Sequence, residues 1–276
     1  MSESNNTAAE NPVPIQPETS ERDQDIAPLQ AQFLVGSCIG RAFSVFVRNF
    51  APFTLLAILV YMPPLFYELF LAKELASSSP SWRKILDILF PIIEFLLVYL
   101  LTAVIIYGTI QELRGRHTGI GECVRRGFPL MFPVMGVAIV LIIVVTVGAM
   151  ALIIPGLILF TMYWLAIPVA VIERPGVFAS LKRSAQLSKG FRWKIFGLFL
   201  MIIAVSYGVN FMVALLTGVS WLALATYQAP YGVVIVFFLF SSVFGAYYAV
   251  VNAVAYHDIR MAKEGVGIEE IAAVFD

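Results

Sequence analysis

The stretch ERPGVFASLKRSAQLSKGFRWKIFG, residues 173–197, lies between two long apolar blocks and decides the fold. It holds six of the eighteen basic residues of the chain: Arg174, Lys182, Arg183, Lys189, Arg192 and Lys194. Short segments rich in Lys and Arg stay on the cytoplasmic side of a membrane, so this stretch predicts the orientation of the segments around it. After it, residues 195–257 contain no Asp, Glu, Lys or Arg, which is enough for two crossings of about 20 residues each.

The composition is that of a multi-span membrane protein. The 276-residue chain is 60% hydrophobic and 13% charged, whereas soluble domains are about half apolar and about a quarter charged. Residues 1–30 are polar and carry six acidic residues against Arg22. We expect them to form a disordered acidic tail on the cytoplasmic side, because they have neither the basic nor the apolar part of a signal peptide.

The apolar runs predict an all-α polytopic membrane protein with six transmembrane helices in three hairpins. The predicted spans are residues 50–71, 86–110, 128–153, 156–172, 195–216 and 233–256, in a membrane domain of residues 31–262 followed by a cytoplasmic tail of residues 263–276. Pro63–Pro64 should break or kink the first span, and Pro155–Gly156 should form the turn between the third and fourth. This topology leaves fifteen basic residues on the cytoplasmic side and three outside. Both termini are therefore expected in the cytoplasm, with the protein in the bacterial inner membrane.

Amphipathic segments are predicted to lie in the membrane interface on the cytoplasmic side. In residues 33–49, Ser37, Arg41, Ser44 and Arg48 recur at helical spacing opposite an apolar side. This segment precedes RNFAPF at 48–53, and similar basic segments precede RGFPLMF at 126–132 and KGFRWKIF at 189–196. Each is followed by two spans, so one unit of interfacial helix and hairpin occurs three times. Such repeats are common in transporters, although we favour simple duplication of a membrane hairpin.

The central stretch resembles the bacterial glycerophosphoryl diester phosphodiesterase membrane-domain family, which includes stand-alone inner-membrane proteins. The family pattern is a Pro-Gly turn, a span ending in Glu, a Gly, a run like A-L-x-R-S-x-x-L-x-x-G and a Trp at the start of the next span. The matching residues are Pro155, Gly156, Glu173, Gly176, Arg183, Ser184, Leu187, Gly190 and Trp193. The resemblance extends over roughly residues 33–265. It implies a six-helix membrane domain without catalysis, since the family's phosphodiesterase activity belongs to a separate soluble barrel.

Glu94 is the sharpest candidate for function inside the membrane. It lies well inside the second span, where an ionised carboxylate costs about 2.5–3.5 kcal/mol on insertion scales. One interpretation is a site for an ion, a proton or a polar ligand. The other, which we favour, is a polar contact between packed helices or a position shallow enough to reach water.

Two polar stripes and one stripe of small residues follow the fifth and sixth spans. Asn210 belongs to the fifth span, and Tyr248 and Asn252 lie on one line of the sixth. Polar groups in lipid bond to each other across helices, which accounts for these residues without a transport role. Beside them run Ser241, Gly245, Ala249 and Ala253, which at a spacing of four favour close helix packing.

Lys182, Arg183, Ser184 and Lys189 are predicted to form the polar face of a helix that binds lipid headgroups. The alternative, which we favour slightly, is that they are solvated anchors of the topology. Glu173 and Arg183 have a spacing that allows an ion pair across the turn.

The sequence shows no catalytic or metal-binding pattern. Its two histidines, His117 and His257, and its two cysteines, Cys38 and Cys123, lack metal-ligand spacing. We therefore expect no enzyme activity and no cofactor. Nucleic-acid binding is not supported either, because the basic residues flank the spans.

The leading functional interpretation is a membrane module that binds lipids or another membrane component. Its expected partners are membrane lipids, a second copy of the chain or another membrane protein. The alternative is a small-solute or ion transporter or channel that uses Glu94 and the polar stripes of the fifth and sixth spans.

Overall fold

The structure is a computed structural model that describes residues 33–71, 80–116, 119–219 and 230–265. Helices and turns account for these residues, and no strand occurs among them. In chain order the α-helices are α1 Val35–Arg48, α2 Phe50–Phe66, α3 Pro80–Leu113, α4 Ile120–Gly127, α5 Met131–Ala151, α6 Ile153–Tyr163, α7 Ala166–Ile172, α8 Val177–Ser188, α9 Arg192–Thr217 and α10 Tyr231–Glu264. The predicted tail of residues 1–30 and most of the predicted C-terminal tail lie outside the described residues.

Several helices have the length and apolar composition of membrane spans. Within the described ranges there are five such stretches: Lys84–Leu113, Ile120–Met150, Ile153–Ile172, Arg192–Thr217 and Tyr231–Glu264. Helices α1 and α2, bent by 83° at their junction, pass the same test together and make a sixth if the pair is one span. The predicted all-helical fold is confirmed for the described residues, and five to six stretches of it could span a membrane.

Helix α10 forms the centre of the bundle. All eight residues from 249 to 256 are buried, and the helix contacts α1, α2, α3, α7, α8 and α9. A helix that is buried on every side must be surrounded by other helices. Ala249 and Ala253 lie in this segment and Ala246 just before it, and their small side chains let the neighbouring helices approach closely.

The turn between α5 and α6 lies earlier than the sequence predicts. Leu152 is extended, with φ −164° and ψ 144°, and ends α5, whereas Pro155 and Gly156 already belong to α6. Proline fits the first turn of a helix because its missing N–H needs no partner there. Gly156 instead allows α5 and α6 to pack closely, because any larger residue would place a Cβ 2.8 Å from the Cα of Ala149.

Pro63 and Pro64 also act differently from the expected break. Helix α2 continues through both residues to Phe66, and a π-helical turn, Tyr67–Leu71, follows it. The two prolines supply no N–H to the preceding turn. The Tyr67 N–H donates to the carbonyls of both Pro63 and Pro64. The prolines are therefore followed by a change from α-helical to π-helical winding and not by a break.

Helix α9 lies at the edge of the bundle. Its buried residues are Ile195, Leu198 and Ile202, all in its first half. Residues 203–217 have at least partly exposed side chains, many of them apolar. The second half of this helix therefore presents its surface to the surroundings of the bundle, and Gly218 ends it with φ 66°.

The three repeat segments of the sequence correspond to three similar junctions. Helices α1, α4 and α8 are short and partly polar, and each leads at once into a long helix. Phe50, Phe128 and Phe191 lie at the joints between α1 and α2, α4 and α5, and α8 and α9. The short helices thus mark where the chain enters each apolar hairpin.

Candidate functional site at the basic end of the bundle

The segments around α1, α4, α8 and the end of α10 are brought together at one end of the bundle. Arg41 Nη1 lies 2.5 Å from Asp258 Oδ1, which joins α1 to α10. Arg48 Nη2 lies 3.6 Å from Glu112 Oε1, which joins α1 to α3. Lys194 Nζ donates to the carbonyl of Phe33 at 2.9 Å, which joins α9 to the start of α1. We call this region the basic end, defined by the described residues among 33–48, 112–126, 173–194 and 256–264.

A carboxylate and guanidinium cluster ties α8 to α10. Arg183 Nε donates to Glu173 Oε2 at 2.9 Å, and Arg183 Nη2 pairs with Glu264 Oε1. Tyr256 donates its hydroxyl hydrogen to Glu173 Oε1 at 2.8 Å. Arg260 then reaches the Tyr256 hydroxyl at 3.4 Å and Glu264 Oε2 at 3.2 Å.

The cluster holds Arg183 in its charged form. Burial opposes that charge, but the hydrogen bonds and the negative charge of Glu173 and Glu264 outweigh it and raise the pKa of Arg183. The ion pair that the sequence allows between Glu173 and Arg183 is thus present. Arg183, predicted to face lipid headgroups, uses its guanidinium within the protein.

Serines line the inner face of α8. Ser180, Ser184 and Ser188 are fully buried. Ser184 Oγ and Ser188 Oγ donate to the carbonyl of Met162 at 2.9 and 3.1 Å. The chain turns at Trp164 and Leu165 between α6 and α7, so carbonyls at the end of α6 need partners from outside the helix. The predicted headgroup-binding residue Ser184 therefore fills a packing position on α8.

The outer face of α8 carries the remaining predicted headgroup-binding residues. Lys182 and Lys189 are exposed, as are Phe178 (75%) and Trp193 (86%) nearby in the sequence. The apolar ring of Phe178 is thus exposed beside the lysines. The structure thus separates the four predicted residues into an inner pair, Arg183 and Ser184, and an outer pair, Lys182 and Lys189.

Lys263 caps the C-terminal end of α8 and was not among the predicted site residues. Its Nζ donates to the carbonyls of Gln186, Leu187 (3.5 Å) and Lys189 (3.0 Å). A cation at this position satisfies free carbonyls and complements the helix dipole. The signal in the sequence is the helical spacing of Tyr256, Arg260, Lys263 and Glu264, which puts all four on one side of α10.

A second polar group lies inside the bundle. Trp164 Nε1 donates to the Tyr248 hydroxyl at 3.0 Å, and Asn252 Nδ2 donates to the Trp164 carbonyl at 3.3 Å. Asn252 is 3% exposed, and its Oδ1 has no hydrogen-bond donor among the described residues. Asn210 shares no hydrogen bond with this group, since its amide donates to the Ser206 carbonyl of its own helix.

Glu94 lies on α3 and is half-buried. Tyr61 of α2 is within electrostatic range of it. The Tyr61 hydroxyl in turn lies against Gly245, where a Cβ would come within 3.0 Å of its oxygen. The carboxylate has no recorded hydrogen bond or ion pair with another described residue.

The small-residue stripe of α10 is used only in part. Ala249 and Ala253 are buried and Gly245 packs against Tyr61, whereas Ser241 is exposed. The adjacent Ser242 is the buried serine, and its Oγ donates to the Phe238 carbonyl at 2.8 Å. Close packing along this stripe therefore begins at Gly245.

Replacing Gly245 with leucine is expected to destabilise the fold, because the new side chain would collide with Tyr61. The matched control is Gly208→Leu on α9, where a Cβ would meet no atom within 4 Å. Thermal unfolding in detergent, followed by size-exclusion chromatography, compares the two variants. Equal melting temperatures for both variants would contradict a packing role for Gly245.

Comparison of the chain with protein-family models, with curated proteins and with solved structures finds no match in any of the three. The candidate site therefore has to be interpreted from its own chemistry.

Proposed function

We propose that this chain is a non-catalytic module of the bacterial inner membrane that binds anionic lipid headgroups at its basic end. In this proposal the membrane domain has six spans and both termini in the cytoplasm, and α1, α4 and α8 lie in the cytoplasmic interface. The resemblance of residues 153–197 to the glycerophosphoryl diester phosphodiesterase membrane-domain family belongs to the same proposal. A second copy or another membrane protein is a further binding partner under this interpretation.

The observation that carries the proposal is the unbalanced charge of the basic end. Its four segments hold fourteen Lys and Arg residues against five Asp and Glu residues. Four of those five acids, Glu112, Glu173, Asp258 and Glu264, already pair with arginines within the protein. The remaining cations include Lys182, exposed on α8, and Lys189, exposed directly after it. Cations next to a membrane attract anionic lipids in this way.

The exposed aromatic side chains support a position at headgroup depth. Trp and Tyr are enriched where the membrane meets water, and Trp193 is 86% exposed at the start of α9. Phe178 is exposed one helical turn before Lys182. An apolar ring beside a cation suits the boundary between acyl chains and headgroups.

The double variant Lys182→Ala/Lys189→Ala is expected to lose bound anionic lipid without losing stability. A basic residue near an anionic surface contributes about 1 kcal/mol, so affinity should fall by about thirtyfold. The measurement is titration with short-chain phosphatidylglycerol in neutral detergent, read by native mass spectrometry. Lys84→Ala, an exposed lysine on α3, is the control and should bind like the wild type. Equal lipid binding in the double variant and the wild type would contradict the proposal.

A second candidate function is transport of a small solute or ion through the bundle. It is favoured by the unpartnered and buried Asn252 Oδ1 and by Glu94, which has no recorded partner among the described residues. Each group is costly in an apolar interior unless it binds water or a ligand.

Transport predicts ion or solute flux in proteoliposomes that the Glu94→Gln variant abolishes. Asn252→Leu should reduce the flux as well. The control Asn210→Leu should leave it unchanged, because Asn210 shares no hydrogen bond with the Trp164, Tyr248 and Asn252 group. Equal flux in the wild type and Glu94→Gln, or no flux above that of empty vesicles, would contradict the transport function.

A further inference from the structure

The junction between α8 and α9 concentrates positive charge beyond what the protein neutralises. Arg183, Lys189 and Arg192 all lie within electrostatic range of the Lys263 ammonium group. The nearby carboxylates already have partners. Glu173 binds Arg183 and the Tyr256 hydroxyl, and Glu264 binds Arg183 and Arg260. No carboxylate in the described part of the chain pairs with Lys189, Arg192 or Lys263. Because like charges repel at short range, these three cations repel one another.

Arg192 contains an unsatisfied donor. Its Nε is buried, and no acceptor for it occurs in the described ranges. A buried donor without an acceptor costs about 1–3 kcal/mol, and more when the group is charged. An anion placed beside the guanidinium would remove this cost and would also reduce the repulsion among the neighbouring cations.

The turn before Arg192 is open at Gly190. Gly190 has a φ of 94°, and a Cβ on it would meet no atom within 4 Å. The glycine lies between Lys189 and Arg192, in the turn that joins α8 to α9. Helix α9 then begins at Arg192 without a side-chain cap, and the N–H groups of its first turn add to the attraction for a negative charge.

We propose that this junction is a phosphate-binding site in which Arg192 and Lys189 bind the phosphate oxygens and Lys263 contributes charge. Arginine suits this task because its planar fork can donate two parallel hydrogen bonds to phosphate oxygens. The site rests on the proposed lipid binding and specifies its chemistry: the group recognised is a phosphate, supplied by a phospholipid headgroup or by free phosphate.

The position next to Trp193 agrees with the headgroup source. The exposed indole follows Arg192 directly in the sequence and lies at the start of the apolar helix α9. A phosphate held here would sit where headgroups meet the acyl chains if α9 spans the membrane.

The test compares delipidated wild type with Arg192→Gln in neutral detergent. One arm adds inorganic phosphate, with sodium chloride at equal ionic strength as the blank. The other arm adds short-chain phosphatidylglycerol, with phosphatidylcholine as the blank. Ligand binding stabilises the folded protein by RT ln(1 + L/Kd), where L is the free ligand concentration, so the melting temperature rises as the ligand concentration exceeds Kd.

The wild type is expected to be stabilised in at least one arm, and Arg192→Gln should need about tenfold more ligand for the same shift. Arg192→Lys should bind with intermediate affinity, because it keeps the charge and loses the fork. Lys84→Gln, which removes an exposed cation of α3 outside the basic end, is the control and should respond like the wild type. Stabilisation by phosphate and by lipid alike supports the site, and stabilisation in only one arm supports it and identifies the source.

The proposal is overturned if neither ligand stabilises the wild type, or if Arg192→Gln responds like the wild type. Melting temperatures without ligand check that Arg192→Gln is folded, and Arg192→Lys keeps the test decisive if it is not. If phosphatidylglycerol binding falls in Lys182→Ala/Lys189→Ala but not in Arg192→Gln, the phosphate site fails while the broader lipid-binding function stands.

Discussion

Replacing Arg183 with alanine is expected to give a large loss of stability, about 2–3 kcal/mol. The change removes the bonds to Glu173 and Glu264 and leaves two carboxylates facing each other at the junction of α8 and α10. Those carboxylates are only 20% and 33% exposed, so water compensates for the lost guanidinium only in part. Thermal or denaturant unfolding in detergent measures the effect.

The neighbouring exposed lysine provides the control for this prediction. Lys182→Ala alters the charge of α8 by the same amount, and substitutions at such surface positions usually change stability by less than about 0.5 kcal/mol. Arg183→Lys should fall between the two, since an ammonium group cannot match the forked contacts of arginine. If Arg183→Ala and Lys182→Ala unfold at the same temperature, the cluster does not hold α8 against α10.

Gly156→Ala is expected to disturb the hairpin of α5 and α6 despite adding a single methyl group. The new Cβ would lie 2.8 Å from the Cα of Ala149 and 2.9 Å from its backbone nitrogen. Backbone atoms cannot rotate away as a side chain can, so the two helices must separate, at a cost of about 1–3 kcal/mol. The measurement is again the unfolding temperature of the purified variant.

Two other glycines calibrate this effect. Gly148→Ala places its Cβ 2.5 Å from Leu159 Cδ1, the flexible end of a side chain, so its loss of stability should be smaller. Gly208→Ala meets no atom within 4 Å and should be neutral or slightly stabilising, because alanine favours a helix. Any other order of the three melting temperatures would be inconsistent with the close contact at Gly156.

Hydropathy and charge predict the large-scale architecture because the apolar runs are long and the basic segments are short. The membrane-length helices and the short helices before α2, α5 and α9 follow from these patterns. The exact turn at Leu152 does not, since proline is equally suited to a turn and to the first turn of a helix.

The direction of individual side chains at the basic end could not be predicted from the sequence. Spacing alone put Lys182, Arg183, Ser184 and Lys189 on one face. The structure turns Ser184 inward because α6 ends nearby and leaves the Met162 carbonyl in need of a donor. Arg183 turns inward because it pairs with Glu264 of α10, a residue 81 positions later in the chain. Both side-chain directions depend on contacts with residues distant in the sequence, so a local pattern cannot predict them.

The central position of α10 has a consequence for how the protein is made. The helix with eight successive buried residues is also the last described helix along the chain, and the helices around it are synthesised earlier. The contacts of α10 with the earlier helices can form only after residues 231–264 have been synthesised. The same holds for the bonds of Glu173 and Arg183 to Tyr256 and Glu264. The described bundle is therefore complete only once α10 has joined the helices that precede it.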